Sequence, residues 1–263
     1  MYGKKTNSFA EILKKYNYNP HAGDIVAGTI IHQEYSGFLV NIGNKIAGYL
    51  PTEEITLFNY RKKKKNYSLI KTTREFFLIE QNNNLKKSIL SIKRIDYIRS
   101  WKRIKQFYLE DIIFYLYIQH INKGGFITYL EGIQSFIPKS QIYLKPENKQ
   151  DYSNKKKNIQ CKLLISNEQK NQLILSNKSA ILSLALHKFK LGEILYGKIL
   201  YIKPYGLFIN IYGVIALLHI SEISYKYINN INFFFKIGKL IKVKIIHIDT
   251  KQGRLSVSKR YMN

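Results

Sequence analysis

Between residues 191 and 260 apolar and polar positions alternate. Ile199 and Tyr201 begin the pattern, Leu207, Ile209 and Ile211 continue it, and Ile241, Val243 and Ile245 repeat it further on. Period two in β-branched and aromatic residues predicts strands, because successive side chains of a strand point to opposite faces. Gly192, Gly197, Gly206, Gly213, Gly238 and Gly253 punctuate the run where bends, bulges or tight turns are expected. About five short strands in about 70 residues predict a small closed barrel.

The same pattern recurs upstream. Gly23, Gly28 and Gly37 keep the spacing of Gly192, Gly197 and Gly206, with matching apolar alternation. One residue is gained or lost after Gly43, which brings Pro51 to the place of His219. A weaker copy opens DIIFYLYIQHINKGGFITYLEGIQSFIPKSQI, in which Gly125 and Pro138 keep the spacing of Gly206 and His219. Its early glycines are replaced by Asp111 and Leu116. Between the copies, Ile95, Ile98, Trp101, Ile104 and Leu109 have helical spacing. Trp101 there reads as a packing residue rather than a base contact. The expected plan is an N-terminal tail over 1–20, repeats over 21–94, 111–177 and 191–260, and helical linkers over 95–110 and 178–190. The tail carries a short helical pattern at Phe9, Ile12, Leu13 and Tyr16.

Charge then narrows the partner. Lys plus Arg number 43 against 17 Asp plus Glu, a formal charge of +26. Such self-repulsion opposes compaction and calls for a polyanion. Nucleic acid fits best, since no basic amphipathic helix, lipidation signal or long apolar run points to a membrane. The 45% hydrophobic content is enough for packed cores. The single cysteine, Cys161, lies in a strand-like run, reads as a small core residue and suits a reducing compartment. The first residues lack the apolar core of a signal peptide and the Arg/Ser richness of a transit peptide, so the protein is expected to act where it is made. Its Lys, Asn, Ile, Tyr and Phe bias suits an AT-rich genome, plastid or bacterial.

Nothing converges for catalysis. Glu53, Glu54, Glu110, Asp111, Glu222 and Asp249 are scattered, whereas acid–base or two-metal chemistry needs paired carboxylates. The six histidines have no metal-ligand spacing, and no Gly-rich loop ends in Gly-Lys-Ser or Gly-Lys-Thr. The expectation is a protein that is not an enzyme, with no cofactor, metal or small-molecule substrate.

The C-terminal unit strings together G-x-I-x-x-G-x-I, Y-G-L-F-I-x-I, G-V-x-A-L-L-H-I-S-E-I and I-x-I-D-x-x-x-x-R-L-S-V-S-K. This combination resembles the RNA-binding repeat of small-subunit ribosomal protein S-one, an OB-fold barrel. The resemblance runs from His21 to Arg260. The three-repeat length and the SIKRIDYIRSW linker are similar to the short proteins of cyanobacteria and plastids. It implies an all-β chain of three tandem five-stranded OB-fold barrels joined by short helical linkers. It also implies that the third repeat binds single-stranded RNA through stacking rings and a basic groove.

By that resemblance Tyr205 and Phe208 stack on bases, His219 faces RNA, and Asp249 with Arg254 forms a polar pair on the closing strands. Three residues apart, Tyr205 and Phe208 would project to opposite faces of a straight strand, so a bend near Gly206 is needed. The residues alone also allow Phe208 as core, Tyr205 as a half-buried strand residue and Asp249 as a turn former. Lys198 and Lys203 are either phosphate contacts or solvated charges, as is the basic run RKKKK at 61–65. In the first repeat Ser36, Leu39 and Pro51 replace Tyr205, Phe208 and His219, and in the second Gly124, Ile127 and Pro138 do. RNA binding by those repeats is therefore expected to be weak, with Tyr35, Phe38 and Phe126 as the rings able to restore some stacking. The implied function is an mRNA-binding component of the small ribosomal subunit, in a plastid or a bacterial cytoplasm. A ribosome-independent RNA chaperone or decay adaptor is the alternative.

Overall fold

The computed structural model describes residues 20–44, 46–55, 70–82, 87–143, 158–224 and 231–260. The helical pattern from Phe9 to Tyr16 and the basic run at 61–65 lie outside them. The chain divides into two compact units, 1–103 and 104–263.

In the first unit β1 (Ile25–Gln33), β2 (Gly37–Asn41), β3 (Gly48–Pro51), β4 (Thr73–Asn82) and β5 (Lys87–Ser91) close into a barrel in the order β1-β2-β3-β5-β4. All pairings are antiparallel except β3 with β5. Alternate residues point inward, so Val26, Ile30, Phe38, Val40, Leu50, Phe76, Leu78 and Leu90 fill the interior. Ser91 Oγ donates to Glu54 Oε2 at 2.6 Å and accepts the Arg94 N–H at 2.9 Å, where helix α1 (Lys93–Leu109) begins. Ile95, Trp101 and Ile104 are its buried stripe, whereas Leu109 is exposed.

The second unit starts with β6 (Ile113–Tyr117), β7 (His120–Ile121), β8 (Gly125–Leu130), β9 (Ile133–Pro138), β10 (Asn158–Asn167) and β11 (Gln172–Ser176). It continues through α2 (Asn177–Ala185) into β12 (Ile194–Lys203), β13 (Gly206–Ile211), β14 (Val214–His219), β15 (Leu240–Asp249) and β16 (Arg254–Ser258). Strands β12 to β16 close into a second barrel, order β12-β13-β14-β16-β15, with β14 and β16 parallel. Strands β6 to β11 form a six-stranded half-barrel, order β6-β10-β11-β9-β8-β7. The all-β expectation therefore holds, with two closed five-stranded barrels and one that stays open.

The open repeat also differs from the closed one at a glycine. On β12, a Cβ at Gly197 would lie 2.3 Å from Ile209 Cγ2 and 2.8 Å from Ile211 Cγ1, so the close approach of β12 to β13 requires glycine. Leu116 stands at the matching place in the half-barrel's repeat. The first strand breaks after Tyr117, β6 pairs only with β10, and β7 pairs with β8.

Helix α2 is more than a spacer. Ser176 caps it by accepting the Ser179 N–H at 3.0 Å. Asn177 ties it to the half-barrel, accepting the Tyr143 N–H at 3.0 Å and donating to the Gln160 carbonyl at 2.7 Å. Ser179 Oγ ties it to the β15–β16 turn by donating to the Thr250 carbonyl at 2.6 Å. Leu182 is buried in the core of the second barrel.

Candidate nucleic-acid interface

The β12–β13 hairpin pairs Lys203 with Gly206 and turns through Pro204 and Tyr205. A Cβ at Gly206 would sit 2.4 Å from the Leu218 carbonyl oxygen, so only glycine lets β14 lie this close. The backbone there has φ 155°, which supplies the bend that the spacing of Tyr205 and Phe208 demanded. The two rings meet edge to face, with centroids 6.1 Å apart and planes at 89°. Phe208 is outward and half-buried between the core residues Leu207 and Ile209, and Tyr205 is half exposed.

Gly206 pairs with His219 across β14, which puts the histidine beside the aromatic pair. His219 Nδ1 lies 2.8 Å from Ser221 Oγ and accepts the Ser221 N–H at 3.3 Å. The neutral ring then carries its hydrogen on Nε2, which makes that nitrogen a donor. Asp249 and Arg254 face each other across the β15–β16 turn. Asp249 Oδ1 accepts the Gln252 N–H at 3.0 Å, so it closes the turn, while Arg254 is exposed. Lys198 and Lys203 are exposed on β12, Lys198 opposite Asn210 and Lys203 at the hairpin.

Registers define a girdle of outward side chains across the barrel. Tyr201 pairs with Phe208, Phe208 with Leu217, Leu217 with Ser256, and Ser256 with His247. Tyr201 corrects the sequence reading, in which it continued the alternation of buried Ile199. A β-bulge between the two shifts the register and leaves Tyr201 55% exposed. Nothing in the residue pattern marks that bulge. Leu217, Ser256 and His247 join the surface through strand pairings only the fold reveals.

Beside the girdle is a cleft of about 320 Å3. Phe208, Leu217, Arg254 and Ser256 line one side, and Gln141 and Tyr143 of the half-barrel line the other. Burial, with a smaller contribution from Tyr201, pushes the Tyr143 phenol up to about 12, so it stays protonated and able to donate. Sequence reasoning missed Tyr143 because it follows the repeat motif instead of belonging to it.

The rings expected to compensate in the other repeats divide sharply. Phe38 and Phe126 are buried core residues and cannot meet a base, which corrects that expectation, whereas Tyr35 is fully exposed. Ser36 hydrogen-bonds Tyr49 OH at 2.6 Å. Among the described residues no cluster of His, Cys, Asp and Glu could hold a metal ion.

The S1 RNA binding domain family matches residues 188–260, the second closed barrel with its lead-in. Relatives extend the likeness further. Small ribosomal subunit protein bS1c of Pyropia yezoensis is 45% identical over 259 residues, 97% of this chain and 95% of the relative. The bS1c of Porphyra purpurea is 44% identical over 255 residues, with the same two shares of 97% and 95%. Protein bS1A of Synechocystis sp. is 36% identical over 260 residues, 99% of this chain and 78% of the relative. Identity at this level runs through the half-barrel and both closed barrels, so the chain belongs to the small ribosomal subunit protein bS1 family.

Proposed function

We propose that this chain is a non-catalytic component of the small ribosomal subunit that holds single-stranded messenger RNA for translation initiation. The observation that carries it is the Tyr205–Phe208 ring pair beside His219 on the open face of the last barrel. Stacking on such rings is tolerant of sequence because every base has a π-face. Tyr205, Phe208 and His219 would meet bases, Arg254, Lys198 and Lys203 phosphates, and Asp249 would hold the turn that presents Arg254. The charge of +26 supplies the long-range attraction. Membership of the bS1 family supports the ribosomal location, and the bS1c relatives support a plastid ribosome, in the stroma. The same proposal divides the chain into a tail at 1–20, repeats at 21–94, 111–177 and 191–260, and linkers at 95–110 and 178–190.

Cosedimentation of the full chain with purified small subunits, with and without an unstructured leader RNA, tests this. Protein and leader should both travel with the subunit. A chain that binds the leader but stays at the top of the gradient at low salt would replace the ribosomal reading with that of a free RNA chaperone.

A further inference from the structure

The first two repeats lack rings at the Tyr205 and Phe208 positions, yet each carries a ring one strand away. In the last barrel Phe208 on β13 faces Leu217 on β14. In the first barrel the matching pair is Leu39 on β2 and Tyr49 on β3. In the half-barrel it is Ile127 on β8 and Phe136 on β9. The three places are equivalent by register, because Gly37 pairs with Pro51 and Gly125 with Pro138 as Gly206 pairs with His219. Each pair holds one ring and one branched aliphatic side chain, with the strands exchanged.

Backbone carbonyls already crowd the hairpin glycines of all three repeats, and in the first two the ring reaches the same place. A Cβ at Gly37 would lie 2.7 Å from Tyr49 Cζ, and one at Gly125 would lie 2.9 Å from Phe136 Cζ. At Gly124 a Cβ would be in ordinary contact with the ring, 3.4 Å from Phe136 Cζ. Each ring therefore lies over the start of the preceding strand, on the side of the sheet where the last barrel holds Tyr205 and Phe208. Ser36 and Gly124, which stand at the Tyr205 position, are small enough to admit it, and Ser36 pins the Tyr49 hydroxyl. Tyr49 and Phe136 are both outward and half-buried, unlike the core rings Phe38 and Phe126.

We propose that Tyr49 and Phe136 are base-stacking platforms, so that the first barrel and the half-barrel each take a base of single-stranded RNA. This rests on the RNA-binding reading above and extends it to the whole chain. These sites are weaker than the last barrel's. In the register that the repeated glycines set, Thr29 and Glu34 stand in the first barrel where Lys198 and Lys203 stand in the last, and proline replaces His219 in both. They act only when a strand is long enough to reach them.

The test titrates the full chain with two fluorescein-labelled unstructured RNAs. One is about 50 nucleotides, enough for three sites of about 4–16 nucleotides each, and the other is about 8. Tyr49→Leu and Phe136→Leu keep the apolar cover that Leu217 gives the last barrel but remove the ring, and thermal melting checks their folding. Each should weaken binding of the long RNA about fivefold or more, the lower bound for one lost stacking contact, and leave the short RNA unaffected. Ultraviolet cross-linking of the long RNA to the wild-type chain needs no variant to fold, and should give adducts on Tyr49 and Phe136. Unchanged long-RNA affinity, or adducts confined to the last barrel, overturns the proposal and leaves the RNA-binding reading intact. A wild-type chain that binds neither RNA overturns that reading itself.

Discussion

Replacing Phe208 by alanine removes the ring at the centre of the girdle. Its neighbours on the sheet are Tyr201 and Leu217, and Tyr205 meets it edge to face at 6.1 Å. Loss of one stacking ring costs about 1–3 kcal/mol per base. An aromatic pair is worth about 0.5–1.5 kcal/mol beyond its buried area, so Tyr205 also loses the partner that orients it. The first contribution alone corresponds to about five- to 150-fold in affinity. Phe208 is only half-buried, and the barrel core beneath it comprises Leu207, Ile209, Ile211, Ala216 and Leu218, so the fold should survive. Fluorescence anisotropy with the short RNA reads the affinity, and circular dichroism with a melting curve reads the fold. The substitution belongs in the full chain. A cut at residue 178 would separate Ser176 and Asn177 from the helix they cap and anchor, and weakened binding by such a fragment would be ambiguous. Unchanged affinity in a folded Phe208→Ala chain would refute the assignment of the last barrel as the main site.

Four further outcomes are expected. Tyr143→Ala should weaken the short RNA less than Phe208→Ala does, and the double variant should lose less than the two single losses combined, because both rings line one cleft; strict additivity by anisotropy counts against a shared site. Log affinity should fall with log salt by about 0.7 for each phosphate neutralised, while a chelator leaves binding unchanged; a flat salt profile or a chelator effect contradicts the electrostatic account. Burial raises the Cys161 thiol from 9.0 to about 12, so its contribution to stability is fully present below pH 9.0 and is lost as the pH climbs towards 12; Cys161→Ala should flatten that limb of a stability–pH curve, and an equal decline in both proteins rules the thiol out as its cause. Gly206→Val should lower the melting temperature and RNA affinity together, because its Cβ would collide with the Leu218 carbonyl; a variant as stable as wild type would show that the hairpin does not need glycine.

The repeats were legible because their glycines keep a fixed spacing: Gly28, Gly37, Gly197 and Gly206 sit where two strands approach too closely for a Cβ, and Gly23 and Gly192 take a positive φ with no such crowding. The missing glycine at Leu116 was visible in the same way. That this repeat forms an open half-barrel was not, because closure is a matter of pairing between strands far apart in the chain. Other gaps have the same origin. Alternation made Tyr201 an inward residue, and one bulge turned it outward. The joint at α2 rests on Ser179 and Thr250, far apart in the chain, and no local pattern links them. Motif matching asks which residue occupies one position on one strand, whereas a sheet surface is built from pairs across strands. Leu39 and Ile127 therefore read as lost rings when taken alone. Paired with Tyr49 and Phe136, they read as rings moved to the next strand, with Ser36 and Gly124 reduced in size to make room.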